Sequence, residues 1–151
     1  MNVASILAVK GSAVVTVKPT DTIGTLSQRL RERRIGAAIV SSDGTTIEGV
    51  ISERDIAFGV DLHAPHIHNL PVSALMTRAV VTCSPSDKIA DVASTMLARN
   101  IRHLPVEEGK RLVGMISIRD VLKHRLDDLQ QQTNLLRAFA SHVERDPSQD
   151  R

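Results

Sequence analysis

The chain is a duplication of itself, and this limits its fold more than any single motif. Thr16-Val-Lys-Pro-Thr-Asp-Thr-Ile23 lines up with Thr82-Cys-Ser-Pro-Ser-Asp-Lys-Ile89 at an offset of 66 residues. After a one-residue deletion near Ser41 the offset becomes 65, and Gly49-Val-Ile-Ser-Glu-Arg-Asp-Ile56 lines up with Gly114-Met-Ile-Ser-Ile-Arg-Asp-Val121. Between these anchors Arg33, Ile35 and Val40 match Arg99, Ile101 and Val106. Matches in one order at nearly constant spacing are the mark of a repeat architecture. A unit of about 60 residues is near the lower limit at which one core is stable alone. Two copies are therefore expected to pack face to face about a pseudo-twofold axis, each burying the apolar sheet face of the other.

Each copy carries the same local signals. A β-branched run (13–17 and 79–83) reads as a short strand ended by Pro19 or Pro85. Thr20-Asp21 and Ser86-Asp87 supply helix-start signals. Helical spacing follows in Ile23, Leu26 and Leu30, and again in Ile89, Val92, Ala93 and Met96. A strand comes next (36–40 and 103–106), then a turn at Asp43-Gly44 or Glu108-Gly109, then another strand (47–51 and 112–116). Ser52 and Ser117 open a second helix. The fold class is α+β: two β-α-β-β-α repeats with a C-terminal helical extension. Repeat one spans 1–65 with a linker to about 71, repeat two 72–130, and the extension 131–151. Residues 72–76 read as a lead-in helix to the second copy, with 3–7 as the counterpart in the first. Leu122, Leu126, Leu129, Thr133, Leu136, Ala140 and Val143 fall on alternating steps of four and three, a heptad-like seam. The last helix is expected to run to about His142, with a frayed tail beyond.

Composition narrows the function classes. Only two Phe (Phe58 and Phe139) and no Tyr or Trp are present, so there is no aromatic platform for stacking single-stranded nucleic acid. One cysteine, Cys83, excludes an internal disulfide and a multi-cysteine zinc site. No stretch reaches the roughly 20 apolar residues of a membrane helix, and residues 1–9 lack the basic start of a signal peptide. A cytoplasmic protein with no membrane association is expected. The net charge of +2 is too small to argue for nucleic acid. Arg29, Arg31, Arg33 and Arg34 form a dense run, but helical spacing spreads it and Glu32 interrupts it. No nucleophile signature or phosphate loop is visible, so no enzymatic role, catalytic residue, required cofactor or metal is expected. His63, His66 and His68 in the linker are a weak metal signal.

At the paired Gly-h-h-Ser-x-Arg-Asp-h segments the sequence resembles a tandem cystathionine-β-synthase (CBS) domain pair, or Bateman module, over roughly residues 3–126. Thr16-Val-x-Pro19, Thr82-Cys-x-Pro85 and Arg102-His-Leu-Pro-Val106 support the same resemblance. The chain departs from the pattern at Ile39, where the second copy has Pro105, and at Cys83, where a branched aliphatic is usual. The resemblance implies two sheets and four helices in a disc-like unit, commonly a homodimer. It also implies an adenosine-containing ligand between the copies and a signalling role as a nucleotide sensor for a regulated partner protein. AMP, ADP, ATP or an NAD-type ligand are the expected occupants.

The residue chemistry suits such a ligand. An ionised Asp accepts hydrogen bonds on both oxygens and can take both hydroxyls of a ribose cis-diol. Asp55 and Asp120 fall in the first turn of a helix, whose N-terminus favours their charged form. The resemblance implies that Asp120, Ser117 and Arg119 face Thr16 and the Gly36-Ala37-Ala38 strand. It implies equally that Asp55, Ser52 and Arg54 face Thr82 and the Arg102-His103-Leu104 strand. The latter site is the more basic and is expected to prefer the more phosphorylated ligand. Each residue also has an ordinary alternative: Ser-x-x-Asp is a common helix start, Arg54 and Arg119 can be solvated or bridge to carboxylates, and His103 can simply pack in a strand. A CBS-type interaction protein without nucleotide binding is the rival reading, and a nucleic-acid binder the weaker one.

Overall fold

The computed structural model describes residues 1–143. Helix α1 (Val3–Lys10) precedes β1 (Thr16–Val17), α2 (Ile23–Arg33), β2 (Ala37–Val40), β3 (Gly49–Ser52) and α3 (Glu53–His63). Two 3-10 turns, His66–Asn69 and Val72–Ala74, lead to α4 (Ile89–Arg99), β4 (His103–Glu108), β5 (Arg111–Ser117) and α5 (Ile118–Val143). The α+β repeat is thus present, and α5 supplies the helical extension. The tail expected to fray beyond it lies outside the described residues. No helix among the described residues is long and apolar enough to cross a membrane.

The two sheets are unequal. In the first, β2 lies between β1, which runs parallel to it (Thr16 opposite Ile39), and β3, which runs antiparallel (Ala38 opposite Ile51). In the second, β4 and β5 form an antiparallel pair, with His103 opposite Ser117. The strand expected over 79–83 is reduced to a single bridge between Cys83 and Val106, and that expected over 13–17 shrinks to Thr16–Val17. Ile39 and Pro105 explain the difference between the copies. The Ile39 N–H donates to the Val15 carbonyl at 3.1 Å. Pro105, at the matching position, has no N–H to give Val81, so that ladder bond is absent.

The first helix of each repeat buries its expected stripe: Ile23, Leu26 and Leu30 in α2, and Ile89, Val92 and Met96 in α4. The caps differ from expectation. Thr22, not Asp21, accepts the Thr25 N–H, and Lys88 caps α4 with no side-chain bond. Asp21 and Asp87 instead accept the Lys18 and Ser84 N–H groups at 2.9 and 2.8 Å, closing the turn between strand and helix. Cap and turn use the same residue types, so composition could not separate them.

Two apolar cores form, one per repeat, and the lead-in segments are exchanged between them. Val3 and Ile6 pack with Cys83, Ile89, Met96 and Leu104 of the second repeat. Val72 packs with Val17, Leu26 and Ile51 of the first. The backbone follows suit: Val3 and Ala4 N–H donate to the carbonyls of Asp87 and Pro85, and Val72 and Ser73 to those of Asp21 and Pro19. Each lead-in therefore satisfies the strand-to-helix turn of the other copy, which ties the two halves together and fixes the walls between them.

Candidate functional site

Both Ser-x-x-Asp motifs form reciprocal helix caps. The Asp55 Oδ2 accepts from the Ser52 N–H (2.8 Å) and hydroxyl (3.1 Å), and the Ser52 Oγ accepts the Asp55 N–H. Asp120 and Ser117 repeat the pattern at 2.8 and 2.9 Å. The helix-start reading thus holds at both copies. It does not exhaust either carboxylate, because one oxygen carries the cap and the other stays available for a ligand.

A cavity of about 230 Å³ lies between the copies and has Asp55 in its wall. Gly36, Ala37, Val50, Ser52, Glu53 and Arg54 line it from the first repeat. Thr77, Ala79, Val80, Val81, Ile101, Arg102, His103 and Pro105 line it from the crossing segment and the second. The apolar part can hold a flat ring, while the polar part brings two carboxylates, Asp55 and Glu53, together with two guanidinium groups and an imidazole. The Arg54 guanidinium donates to the Asn100 carbonyl at 2.8 Å, which holds it across the boundary between repeats. Burial pushes the His103 imidazole below its ordinary value, and nearby Lys10 adds to this; Glu53 and Asp120 oppose it. His103 is therefore neutral near pH 7 and offers one donor and one acceptor.

The expected constellation is redistributed. Ser52, Arg54, Asp55, Arg102 and His103 share the cavity as expected, but Gly36 and Ala37 join them there rather than facing Asp120. Ala38 and Leu104 have 0% and 1% of their surface exposed, pack in the two cores and do not line the cavity. Thr82 is exposed and does not line the cavity. Thr16 lines a more open depression with Ser12, Val14, Gly44, Leu112 and Val113, which includes neither Ser117, Arg119 nor Asp120. Arg119 is exposed. Sequence reasoning missed Thr77, Ala79, Val80 and Val81. The β-branched 79–83 run predicts a strand, and nothing in the sequence marks it or Thr77 as a cavity wall.

Asp120 has a partner that Asp55 lacks. The Lys10 ammonium donates to the Asp120 Oδ2 at 2.7 Å and to the Met115 carbonyl at 2.8 Å. Burial raises the Asp120 carboxyl, but Lys10 and the Ser117 donors outweigh it, and the group lies below the usual carboxylate range.

Other chemistry-bearing residues are structurally engaged. Burial, reinforced by Asp87, pushes the Cys83 thiol up to about 11, so it is a poor nucleophile. The His68 ring lies against Gly24, where an added Cβ would collide with it. No group of three or more potential metal ligands gathers among the described residues. Arg29 donates to the Thr16 carbonyl and approaches Asp21 at 3.5 Å, which removes it from a continuous basic stripe.

Two repeats with exchanged lead-ins around one shared crevice define a paired-repeat module. The CBS-domain family model matches residues 8–60 and 72–127, and the chain belongs to the CBS-domain family as a tandem pair. A 17.7 kDa protein of Acidianus ambivalens is 31% identical over 115 residues, covering 76% of this chain and 68% of that one. The chain spans 57% and 30% of two further curated relatives, which are longer. The crystal structure of a CBS-domain containing protein from Agrobacterium tumefaciens matches with a TM-score of 0.80 and 37% identity, covering 83% of this chain and 99% of that one. The CBS domain pair of protein MJ0100, solved with 5′-methylthioadenosine and S-adenosyl-L-methionine, shares the fold at a TM-score of 0.75 and 22% identity, over 85% of this chain and 98% of that one.

Proposed function

We propose that the chain is a cytoplasmic regulatory module that binds an adenosine-containing ligand in the crevice at Asp55 and converts occupancy into a change of shape or association. The observation that carries this reading is the cavity of about 230 Å³, lined by both repeats, with Asp55, Arg102 and His103 among its lining residues. That volume is just under the roughly 300 Å³ at which small-molecule clefts begin, so it suits one nucleoside with its phosphates reaching solvent. Adenine would lie against Ala79, Val80, Val81 and Ile101, the ribose diol at Asp55, and any phosphate towards Arg102 and Arg54. AMP, ADP and ATP fit this polarity; an NAD-type ligand would have to project its second half outward. The adenosine ligands of the MJ0100 pair support the same class.

The module would act on a regulated protein partner as a homodimer. Leu122, Leu126, Leu129, Leu136 and Val143 lie on the heptad-like seam of α5, and all are exposed. A seam with that spacing suits a second helix of the same kind.

Isothermal titration with adenosine, AMP, ATP and S-adenosylmethionine tests the site. Charge-assisted hydrogen bonds contribute about 1.5–3 kcal/mol each, and about 1.4 kcal/mol is tenfold in affinity. Asp55→Ala, confirmed to retain its fold, should weaken binding about tenfold or more. Unchanged affinity would remove the carboxylate from the site. No heat and no rise in melting temperature with any of the four ligands would end the sensor reading.

A further inference from the structure

We propose that Lys10 is a built-in partner of the Asp120 carboxylate, so that the two repeats offer unequal sites and the chain takes one nucleoside-type ligand rather than two. This rests on the reading of the Asp55 crevice as the ligand site.

The duplication provides its own control. By the repeat offsets, Lys10 and Gly11 correspond to Met76 and Thr77, and Met115 and Asp120 to Val50 and Asp55. In the first copy Val50 and Thr77 exchange backbone hydrogen bonds of 3.0 and 2.9 Å. That bridge lays the crossing segment beside the cavity and leaves Asp55 with Ser52 as its partner. In the second copy Gly11 turns away at φ +91° and its N–H returns to the Leu7 carbonyl at 2.7 Å, ending α1. The Met115 carbonyl, matching that of Val50, receives the Lys10 ammonium instead, and the same ammonium reaches Asp120.

Lys10 is delivered by a rigid element. Val3 and Ile6 anchor α1 in the second core. Leu7 sits so tightly over Gly114 that an added Cβ would lie 2.8 Å from its Cδ2. Asp120 thereby has its charge matched and its Oδ2 bonded by Ser117 and Lys10. A ribose diol reaching for both oxygens there would compete with a tethered ammonium on Oδ2, a competitor absent at Asp55. Asp120 also lines neither of the two depressions described above.

The test is stoichiometry at saturation by native mass spectrometry and isothermal titration, with AMP and S-adenosylmethionine as probes. The native chain should take up one equivalent and Lys10→Met two, while the added site should vanish in Lys10→Met/Asp120→Ala. Two equivalents in the native chain, or one in both, would overturn the inference yet leave the Asp55 site standing. No uptake by either protein would refute the ligand reading and this inference with it. A ligand-independent readout separates the two: in a carboxyl-detected NMR titration, Lys10→Met should raise the Asp120 pKa. An unmoved Asp120 would refute its pairing with Lys10.

Discussion

Exchange of the lead-ins makes a sharp prediction at Val3. Its side chain has 0% of its surface exposed and belongs to the core of the second repeat, although it precedes the first in the chain. Val3→Ala deletes two buried carbons. At about 0.8 kcal/mol per buried methylene the transfer loss is about 1.6 kcal/mol, and incomplete collapse of the void brings the expected cost to about 2–3 kcal/mol. Val9, on the same helix but 87% exposed, is the control; Val9→Ala should change stability by less than about 0.5 kcal/mol. Urea unfolding gives the magnitude, and native-state hydrogen exchange gives the location. Protection should fall first in α4, β4 and β5, not in α2 and β1–β3. A cost below about 0.5 kcal/mol, or loss confined to the first repeat, would refute the exchanged packing.

Two further outcomes follow from the same structure. His103 titrates below its ordinary value when folded, so the unfolded chain binds the extra proton first as pH falls. The stability linked to neutral His103 is complete above about pH 6.5 and declines below it; urea midpoints between pH 8 and 5 should show this slope, and His103→Gln should flatten it. Asp120, held low by Lys10 and Ser117, keeps its contribution above the ordinary carboxylate value and loses it only as pH falls through its lowered one, so its effect appears in a separate acid window. On α5, Leu129→Asp with Leu136→Asp should turn a dimer into a monomer in sedimentation equilibrium without lowering the melting point of the dilute protein, because both side chains are exposed in the single chain; an unchanged mass would exclude the seam as the contact.

Much of the fold could be read from local pattern. The stripes Ile23, Leu26, Leu30 and Ile89, Val92, Met96, the turns at Gly44 and Gly109, and the caps of Ser52 and Ser117 all lie where the sequence puts them. Asp55, Arg54, Arg102 and His103 were also recognisable, and they do meet at one cavity. Ala38 and Leu104 put their side chains in the cores, because a strand beside a site also carries core positions and the sequence does not separate the two. Thr77 and the residues after it were missed because a wall made by a crossing segment carries no motif.

What the sequence determined by itself is a set of interactions that close over three or four residues: the helix stripes, the Ser52 and Ser117 caps, the turns, and the equivalence of the two copies. It even held the cause of their one broken ladder bond, Pro105 against Ile39. Tertiary structure decided which copy each lead-in covers, that Asp55 lines a cavity between the copies, and that Lys10, 110 residues away in the chain, meets Asp120. Contacts at that separation depend on how two pseudo-equivalent halves dock, and no periodicity within either half encodes the choice between Val50 bridging to Thr77 and Met115 accepting from a lysine.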